Sequence, residues 1–138
     1  MTTITYHHKS KSIAVDSRIS THNFVCIDDA KKWFTYGKDK VLACGECSDV
    51  YELQRDWESD KFSPLKCEFI LMREKKVFYG FIQNGRKHIE PLTYNFAIGS
   101  GKLWAMAAMD FGKNAIQAVE YAITRDKSTG GPVNVFKI

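Results

Sequence analysis

Two neighbouring apolar segments restrict the fold of this chain more than any other feature of its sequence. Cys67–Arg73 and Val77–Gln83 are joined by the charged turn Glu74–Lys76, and apolar residues occupy both odd and even positions of each segment. Because successive side chains of a strand point to opposite faces, these strands must be covered on both sides. The pattern therefore predicts a sheet that lies between other layers.

Further strand signals surround this pair. The dipeptide Asn84-Gly85 is typical of a two-residue hairpin turn, so the sheet is predicted to continue as a meander. Two more hairpins are predicted, one around the turn Lys9–Lys11 and one around Gly37–Asp39. The remaining predicted strands are Thr3–His8, Ser12–Arg18, Lys31–Tyr36, Val41–Cys44, Arg86–Ile89, Asn95–Ile98 and Val133–Ile138.

Three segments have the pattern of helices. Asp49–Glu58 suits a short helix with Ser48 as its cap. A second helix follows Gly99-Ser100-Gly101, and its apolar residues Leu103, Ala107 and Phe111 repeat every four positions. A third has one apolar face made of Ala115, Ile116, Val119, Ala122 and Ile123. Helices grouped between strands, beside mostly antiparallel pairs, predict an α+β fold.

Composition limits the class of protein. A chain of 138 residues with 44% hydrophobic and 26% charged residues predicts one globular domain over 1–138, whose core needs neither a metal nor disulfides. The net charge of +4 is spread along the chain, which argues against nucleic-acid binding. No apolar run approaches the roughly 20 residues that cross a bilayer, and no apolar signal region begins the chain. We therefore expect a cytoplasmic protein without a membrane contact.

Several short motifs follow one another in an order that secondary-structure propensity does not explain. They are Met1-Thr2-Thr3-Ile4, Ala14-Val15-Asp16-Ser17-Arg18, Ala30-Lys31-Lys32, Ala43-Cys44-Gly45, Ala97-Ile98-Gly99-Ser100-Gly101, and Arg125–Gly131 before Val133-Asn134-Val135. In these motifs the chain resembles the β subunits of proteasomes and their bacterial relative HslV. The resemblance implies the fold of N-terminal nucleophile (Ntn) hydrolases, a four-layer α-β-β-α sandwich. The interval between Asp49 and Cys67 leaves room for one helix, so we expect a shortened form that lacks a helix of the family.

The resemblance also implies a threonine peptidase. Thr2 would be the nucleophile once Met1 is removed, and the small side chain of Thr2 is one that methionine aminopeptidase accepts. A free α-amine has a reference pKa of about 7.7–8, so it is close enough to neutral to take the proton of the hydroxyl. A peptide-bonded nitrogen cannot act as this base.

The family motifs assign the other roles. Lys32 would lower the pKa values of the Thr2 hydroxyl and amine, and Asp16 would hold Lys32 charged. Because Lys31 and Lys32 face opposite ways on a strand, the motif and not the spacing selects Lys32. The Gly45 amide would stabilise the oxyanion. The hydrogen-bonding set around the amine would be Ser100, Asp126 and Thr129.

Alternatives remain open at this point. The chain is either such a peptidase, with peptides or unfolded proteins as substrates, or a catalytically silent relative with a structural or interaction role. An amidase that cleaves a non-peptide bond would use the same nucleophile. We expect a homo-oligomer, for which a ring is one arrangement, and the resemblance adds an ATPase unfoldase as a partner. We expect no cofactor and no metal, since Cys44-Gly45-Glu46-Cys47 has no second cysteine pair and is a weak zinc signal.

Overall fold

A computed structural model describes all 138 residues as two units. The first unit contains residues 1–32 and 93–138, and the second contains residues 33–92. No helix is long and apolar enough to cross a membrane. The elements are, in chain order, β1 (Thr3–His7), β2 (Ser12–Val15), β3 (Ile19–Ser20), β4 (Val25–Ile27), β5 (Trp33–Tyr36), β6 (Asp39–Gly45), α1 (Cys47–Arg55), β7 (Cys67–Arg73), β8 (Lys76–Gln83), β9 (Arg86–Pro91), β10 (Phe96–Gly99), α2 (Lys102–Asp110), α3 (Ala115–Arg125) and β11 (Asn134–Lys137).

The first unit is built on a four-stranded antiparallel sheet in the order β10-β1-β2-β11. The strand that begins the chain is therefore internal, with Ile4 opposite Ile98 on one side and Val15 on the other. Helices α2 and α3 pack on each other and on this sheet. Their contact is rich in alanine, which allows close approach of the backbones; its buried members include Ala97, Ala105, Ala108, Ala118 and Ala122.

The apolar stripe of α2 lies on the outer face of the helix. Leu103 is 74% exposed and Phe111 is 88% exposed, whereas Ala105, Ala108 and Met109 are buried. The apolar residues that recur at every fourth position of this helix therefore form an exposed surface and not part of the core. The apolar face predicted for α3 is confirmed for Ala115, Val119 and Ala122, which are all buried, while Ile116 and Ile123 are partly buried.

The second unit is a five-stranded antiparallel meander in the order β5-β6-β7-β8-β9. One face carries the core of this unit, including Phe34, Leu53, Trp57, Phe69 and Leu71, and α1 packs against β6. At one end of the core the Arg73 guanidinium donates to Asp39 at 2.7 and 2.9 Å, and the Trp57 indole donates to the same carboxylate at 2.9 Å.

The α+β class and the predicted meander are confirmed, with small differences in boundaries. The helix after β6 spans Cys47–Arg55 with Glu46 at its N-cap, so the predicted start at Asp49 and the cap at Ser48 are wrong. It is the only helix between β6 and β7. The four-layer arrangement and the single domain over residues 1–138 remain predictions.

Two further differences lie just after β2. The predicted strand Ser12–Arg18 ends at Val15. The Asp16 amide still donates to the Thr3 carbonyl oxygen at 3.3 Å, but the next amide, that of Ser17, donates to Gly130 outside the sheet at 2.9 Å. The short hairpin formed by β3 and β4 is missing from the sequence-based prediction. Its three residues in β4 are all exposed, so no alternation of buried and exposed positions marks it.

Candidate active site

A buried ion pair lies at the end of β2. The Asp16 carboxylate is fully buried and accepts hydrogen bonds from the Lys32 ammonium at 2.9 Å, the Thr3 amide at 3.1 Å and the Gly130 amide at 3.0 Å. The side chain of Lys32 is itself only 7% exposed. A charge removed from water in this way is tolerated only when partners surround it, so the donors fix the carboxylate and the carboxylate fixes the ammonium.

The Lys32 ammonium also contacts the start of the chain. It donates to the Met1 carbonyl oxygen at 3.0 Å. Since the Met1 carbonyl carbon is bonded to the Thr2 nitrogen, the ammonium lies beside the peptide bond that precedes Thr2. Thr2 is buried as a residue, but its hydroxyl makes no hydrogen bond within the chain. Every fully buried side-chain oxygen of the chain does have a hydrogen-bond partner. The Thr2 hydroxyl is therefore not fully enclosed, although the residue as a whole is only 8% exposed.

The backbone of Thr2 is also held by the last residue of β10 and the residue that follows it. The Ser100 amide donates to the Thr2 carbonyl oxygen at 2.8 Å. Gly99 has a φ of +99°, and a Cβ placed there would lie 1.8 Å from the Thr2 oxygen. Only glycine allows both this conformation and this approach. The position of Thr2 is thus determined by main-chain contacts as well as by the Lys32 contact with Met1.

A second polar cluster connects α3 to the start of the chain. The Asp126 carboxylate accepts from the Ser100 hydroxyl at 2.5 Å, the Thr129 hydroxyl at 2.7 Å and the Ser128 amide at 3.1 Å. Burial raises the pKa of the Asp126 carboxyl, but the bonds from Ser100, Thr129 and Ser128, together with the positive α-amine of Met1, outweigh burial and leave the pKa below its usual value. Asp126 is therefore a carboxylate at neutral pH, close to the amino end of the chain.

Thr3 belongs to this cluster, although no sequence motif assigns it a role. Its side chain is fully buried, and its hydroxyl lies 2.7 Å from the Thr129 hydroxyl and accepts from the Gly101 amide at 3.1 Å. The available signal was the second threonine of Thr2-Thr3. Alternation along a strand puts neighbouring side chains on opposite faces, so the residue beside a nucleophile is not expected in the same cluster.

Six of the seven predicted site residues lie in the first unit, where the structure groups them into the two clusters above: Thr2, Asp16, Lys32, Ser100, Asp126 and Thr129. Gly45 ends β6 in the second unit. Its φ is +142°, and a Cβ there would lie 2.5 Å from the Lys66 carbonyl oxygen, so the backbone requires glycine. The oxyanion role of Gly45 stays a prediction. No group of three or more His, Cys, Asp or Glu side chains is arranged to hold a metal.

Comparison with solved structures identifies the fold. The chain is similar to eukaryotic HslV from Trypanosoma brucei, with a TM-score of 0.75 and 16% identity over 97% of each chain. It is also similar to BPH from Thiobacillus denitrificans in complex with epoxomicin, with a TM-score of 0.70 and 17% identity over 97% of this chain and 96% of that one. No protein-family model and no curated protein matches the chain. The resemblance to HslV and its proteasome-like relatives is thus confirmed for the fold.

Proposed function

We propose that the chain is a threonine peptidase of the Ntn hydrolase type, in which Thr2 becomes the nucleophile when the residue before it is removed. The observation that carries the proposal is the Lys32 ammonium, held between the buried Asp16 carboxylate and the Met1–Thr2 peptide bond. A lysine buried at this point is costly unless it is paired. A cation beside the nucleophile would stabilise the negative charge that develops on the Thr2 oxygen, which is a chemical reason to bury a lysine here.

The reaction follows from these positions. The free amine of Thr2 accepts the proton of the Thr2 hydroxyl as the oxygen attacks the substrate carbonyl, and it returns that proton to the leaving amine. The Lys32 charge favours the developing alkoxide, because an opposite charge nearby stabilises an anion. The Gly45 amide is the proposed donor to the tetrahedral oxyanion. Water then hydrolyses the ester on Thr2, again with the amine as base.

The second polar cluster would orient the amine. Asp126 is ionised and acts electrostatically with the α-amine of Met1, one residue before the Thr2 nitrogen. The Ser100 hydroxyl donates to Asp126, and its amide donates to the Thr2 carbonyl oxygen. With Met1 in place the Thr2 nitrogen is an amide and there is no base. A chain that keeps Met1 in its host would therefore be the catalytically silent subunit, and intact mass separates the two cases.

The proposed substrates are peptides or unfolded proteins, and the proposed assembly is a homo-oligomer. The exposed stripe on α2 supports assembly, because Leu103 and Phe111 lie one turn on either side of the small residue Ala107. A second copy packed antiparallel across Ala107 would bring Leu103 of one copy beside Phe111 of the other, as two-fold symmetry requires. A ring and an ATPase unfoldase partner rest on the resemblance alone.

The test varies the nucleophile and the base separately. Purified chain lacking Met1 should hydrolyse fluorogenic peptide amides, whereas Thr2→Ala should be folded and inactive. Thr2→Ser keeps a hydroxyl and an amine, so it should retain part of the rate. A permanent N-terminal extension keeps the hydroxyl but converts the amine into an amide, and loss of a general base costs about 10²–10⁴-fold.

A tag after Ile138 is the matched control for the extension, and it should leave turnover nearly unchanged. A panel of peptide and non-peptide amides distinguishes a peptidase from an amidase. Epoxomicin, the ligand of BPH, can be tested for binding by thermal shift. If an extended chain cleaves peptides as fast as one with a free Thr2, the assignment of the nucleophile is wrong.

A further inference from the structure

We infer that Thr3 is a positioning residue of the proposed site, which orients the Asp126 carboxylate through the hydroxyl of Thr129. The inference rests on the proposed function. Its basis is a continuous line of short contacts from Thr3 Oγ1 to Thr129 Oγ1 at 2.7 Å and from Thr129 Oγ1 to Asp126 Oδ2 at 2.7 Å. The Ser100 hydroxyl completes the line by donating to the same carboxylate oxygen at 2.5 Å.

The direction of these hydrogen bonds follows from the number of protons. An ionised carboxylate only accepts, so Thr129 must donate its one hydroxyl proton to Asp126. In the contact with Thr3 the Thr129 oxygen is then the acceptor and Thr3 the donor. The Gly101 amide donates to Thr3 at 3.1 Å. All donors thus point along one path from Gly101 to Asp126, and each bond polarises the next.

The surroundings leave Thr3 little freedom to be replaced. Thr3 is fully buried, and a Cβ on Gly101 would lie 2.3 Å from the Thr3 hydroxyl and 3.3 Å from the Thr129 hydroxyl. A valine at position 3 has nearly the shape of threonine but neither donates nor accepts. It would leave the Gly101 amide without its acceptor and Thr129 without its donor, and both groups are too enclosed to recruit other partners.

The groups around Asp126 determine how loss of the Thr3 hydroxyl would affect the Asp126 carboxylate. Its charge interacts with the α-amine of Met1, whose place at the chain terminus the Thr2 amine takes in the proposed processed enzyme. Its hydrogen bonds come from Ser100, Thr129 and Ser128, and the flanking Arg125 and Lys127 are exposed. Weakening the Thr129 bond raises the pKa of the carboxyl and lets Thr129 rotate away. The carboxylate then holds the amine less firmly, which affects turnover more than substrate binding.

The experiment compares Thr3→Val with a control on the same strand and face. Thr5 is also fully buried and donates its hydroxyl to a carbonyl, that of Ala115 at 2.9 Å, but it has no bond to the Asp126 cluster. Thr5→Val therefore reproduces the loss of one buried hydroxyl. The measurements are kcat, KM, the acidic limb of the pH profile, and the titration of the Asp126 carboxyl by ¹³C NMR.

We expect Thr3→Val to lower kcat about tenfold with little change in KM and to raise the titration of the Asp126 carboxyl. The acidic limb should move to lower pH, because it reports protonation of the Thr2 amine and a loosened carboxylate stabilises the ammonium form less. Thr3→Ser should restore both, and Thr5→Val should change neither. If Thr3→Val does not fold, Thr3→Ala replaces it in the comparison, since alanine also removes the hydroxyl and has a smaller side chain.

Equal behaviour of Thr3→Val and Thr5→Val overturns the inference. An inactive chain with a free Thr2 overturns the proposed function instead. The NMR titration still decides the role of Thr3 in that case, since it does not depend on turnover.

Discussion

Replacing Lys32 should destabilise the chain and abolish hydrolysis, and the two effects can be measured separately. The Asp16 carboxylate is fully buried and accepts from the Lys32 ammonium at 2.9 Å. Lys32→Met removes the cation but fills most of its volume, so the principal loss is the compensation of a buried charge. Breaking such a pair costs about 3–5 kcal/mol. For a chain of this size that cost corresponds to a fall of roughly 10–20 °C in Tm.

The backbone donors to Asp16 favour the lower end of the expected loss of about 3–5 kcal/mol in the free energy of unfolding. The Thr3 and Gly130 amides remain in the variant and still stabilise the carboxylate. Adding Asp16→Asn to Lys32→Met removes the uncompensated charge, so the double variant should recover part of the lost free energy of unfolding. A double-mutant cycle therefore gives the coupling of the pair directly.

The assay combines urea unfolding, followed by tryptophan fluorescence, with hydrolysis of a fluorogenic peptide at a temperature where each variant is folded. Lys31→Ala is the matched control: Lys31 is exposed, and such a change usually alters stability by about 0.5 kcal/mol or less. Lys31→Ala should keep its activity. Equal loss of activity in both lysine variants, or a Lys32→Met chain as stable as the parent, would refute the reasoning.

Two other predictions concern regions outside the proposed site. The Arg73 guanidinium beside Asp39 holds the pKa of that carboxyl below its usual range, so the stability it contributes is present above the unfolded pKa of about 3.9 and is lost as the pH falls. Asp39→Asn should therefore lower the free energy of unfolding by about 1–2 kcal/mol at pH 7 and by less at pH 3, as urea titrations at both pH values can measure. In α2, Leu103→Glu should shift the chain towards smaller species in light scattering without changing its fold, whereas a parent chain that is monomeric at micromolar concentration would contradict assembly.

The sequence predicted the strands well because their patterns are local. Alternation, continuous apolar runs and Asn84-Gly85 located the meander, and β7 begins and ends at the predicted residues Cys67 and Arg73. The hairpin of β3 and β4 lacks this signal, since β3 has only two residues and the apolar residues Val25 and Ile27 of β4 are exposed. Local patterns depend on burial, so they do not detect a strand that has none.

The site was predicted from ordered motifs and could not have been assembled from spacing. Asp16 and Lys32 are joined by a contact between residues that lie far apart in sequence, and nothing local selects Lys32 over Lys31. Thr3 shows the limit of the motif reading. Its role depends on where α2 and the loop after α3 approach β1, at Gly101 and Thr129, and only three-dimensional packing determines that.

The internal position of β1 also favours early trimming of the N-terminus during synthesis. β1 pairs with β10, whose residues leave the ribosome roughly 90 positions later, so the first strand of a growing chain has no partner on that side for about 5–20 s at ordinary translation rates. Once β10 pairs, Thr2 is buried, and its carbonyl oxygen is bound to the Ser100 amide. Met1 itself stays 59% exposed after folding, so an enzyme that trims the N-terminus can still reach this residue, but the bond that it must cleave then leads into a buried and hydrogen-bonded Thr2. Trimming should therefore be fastest on the nascent chain, before β10 pairs with β1.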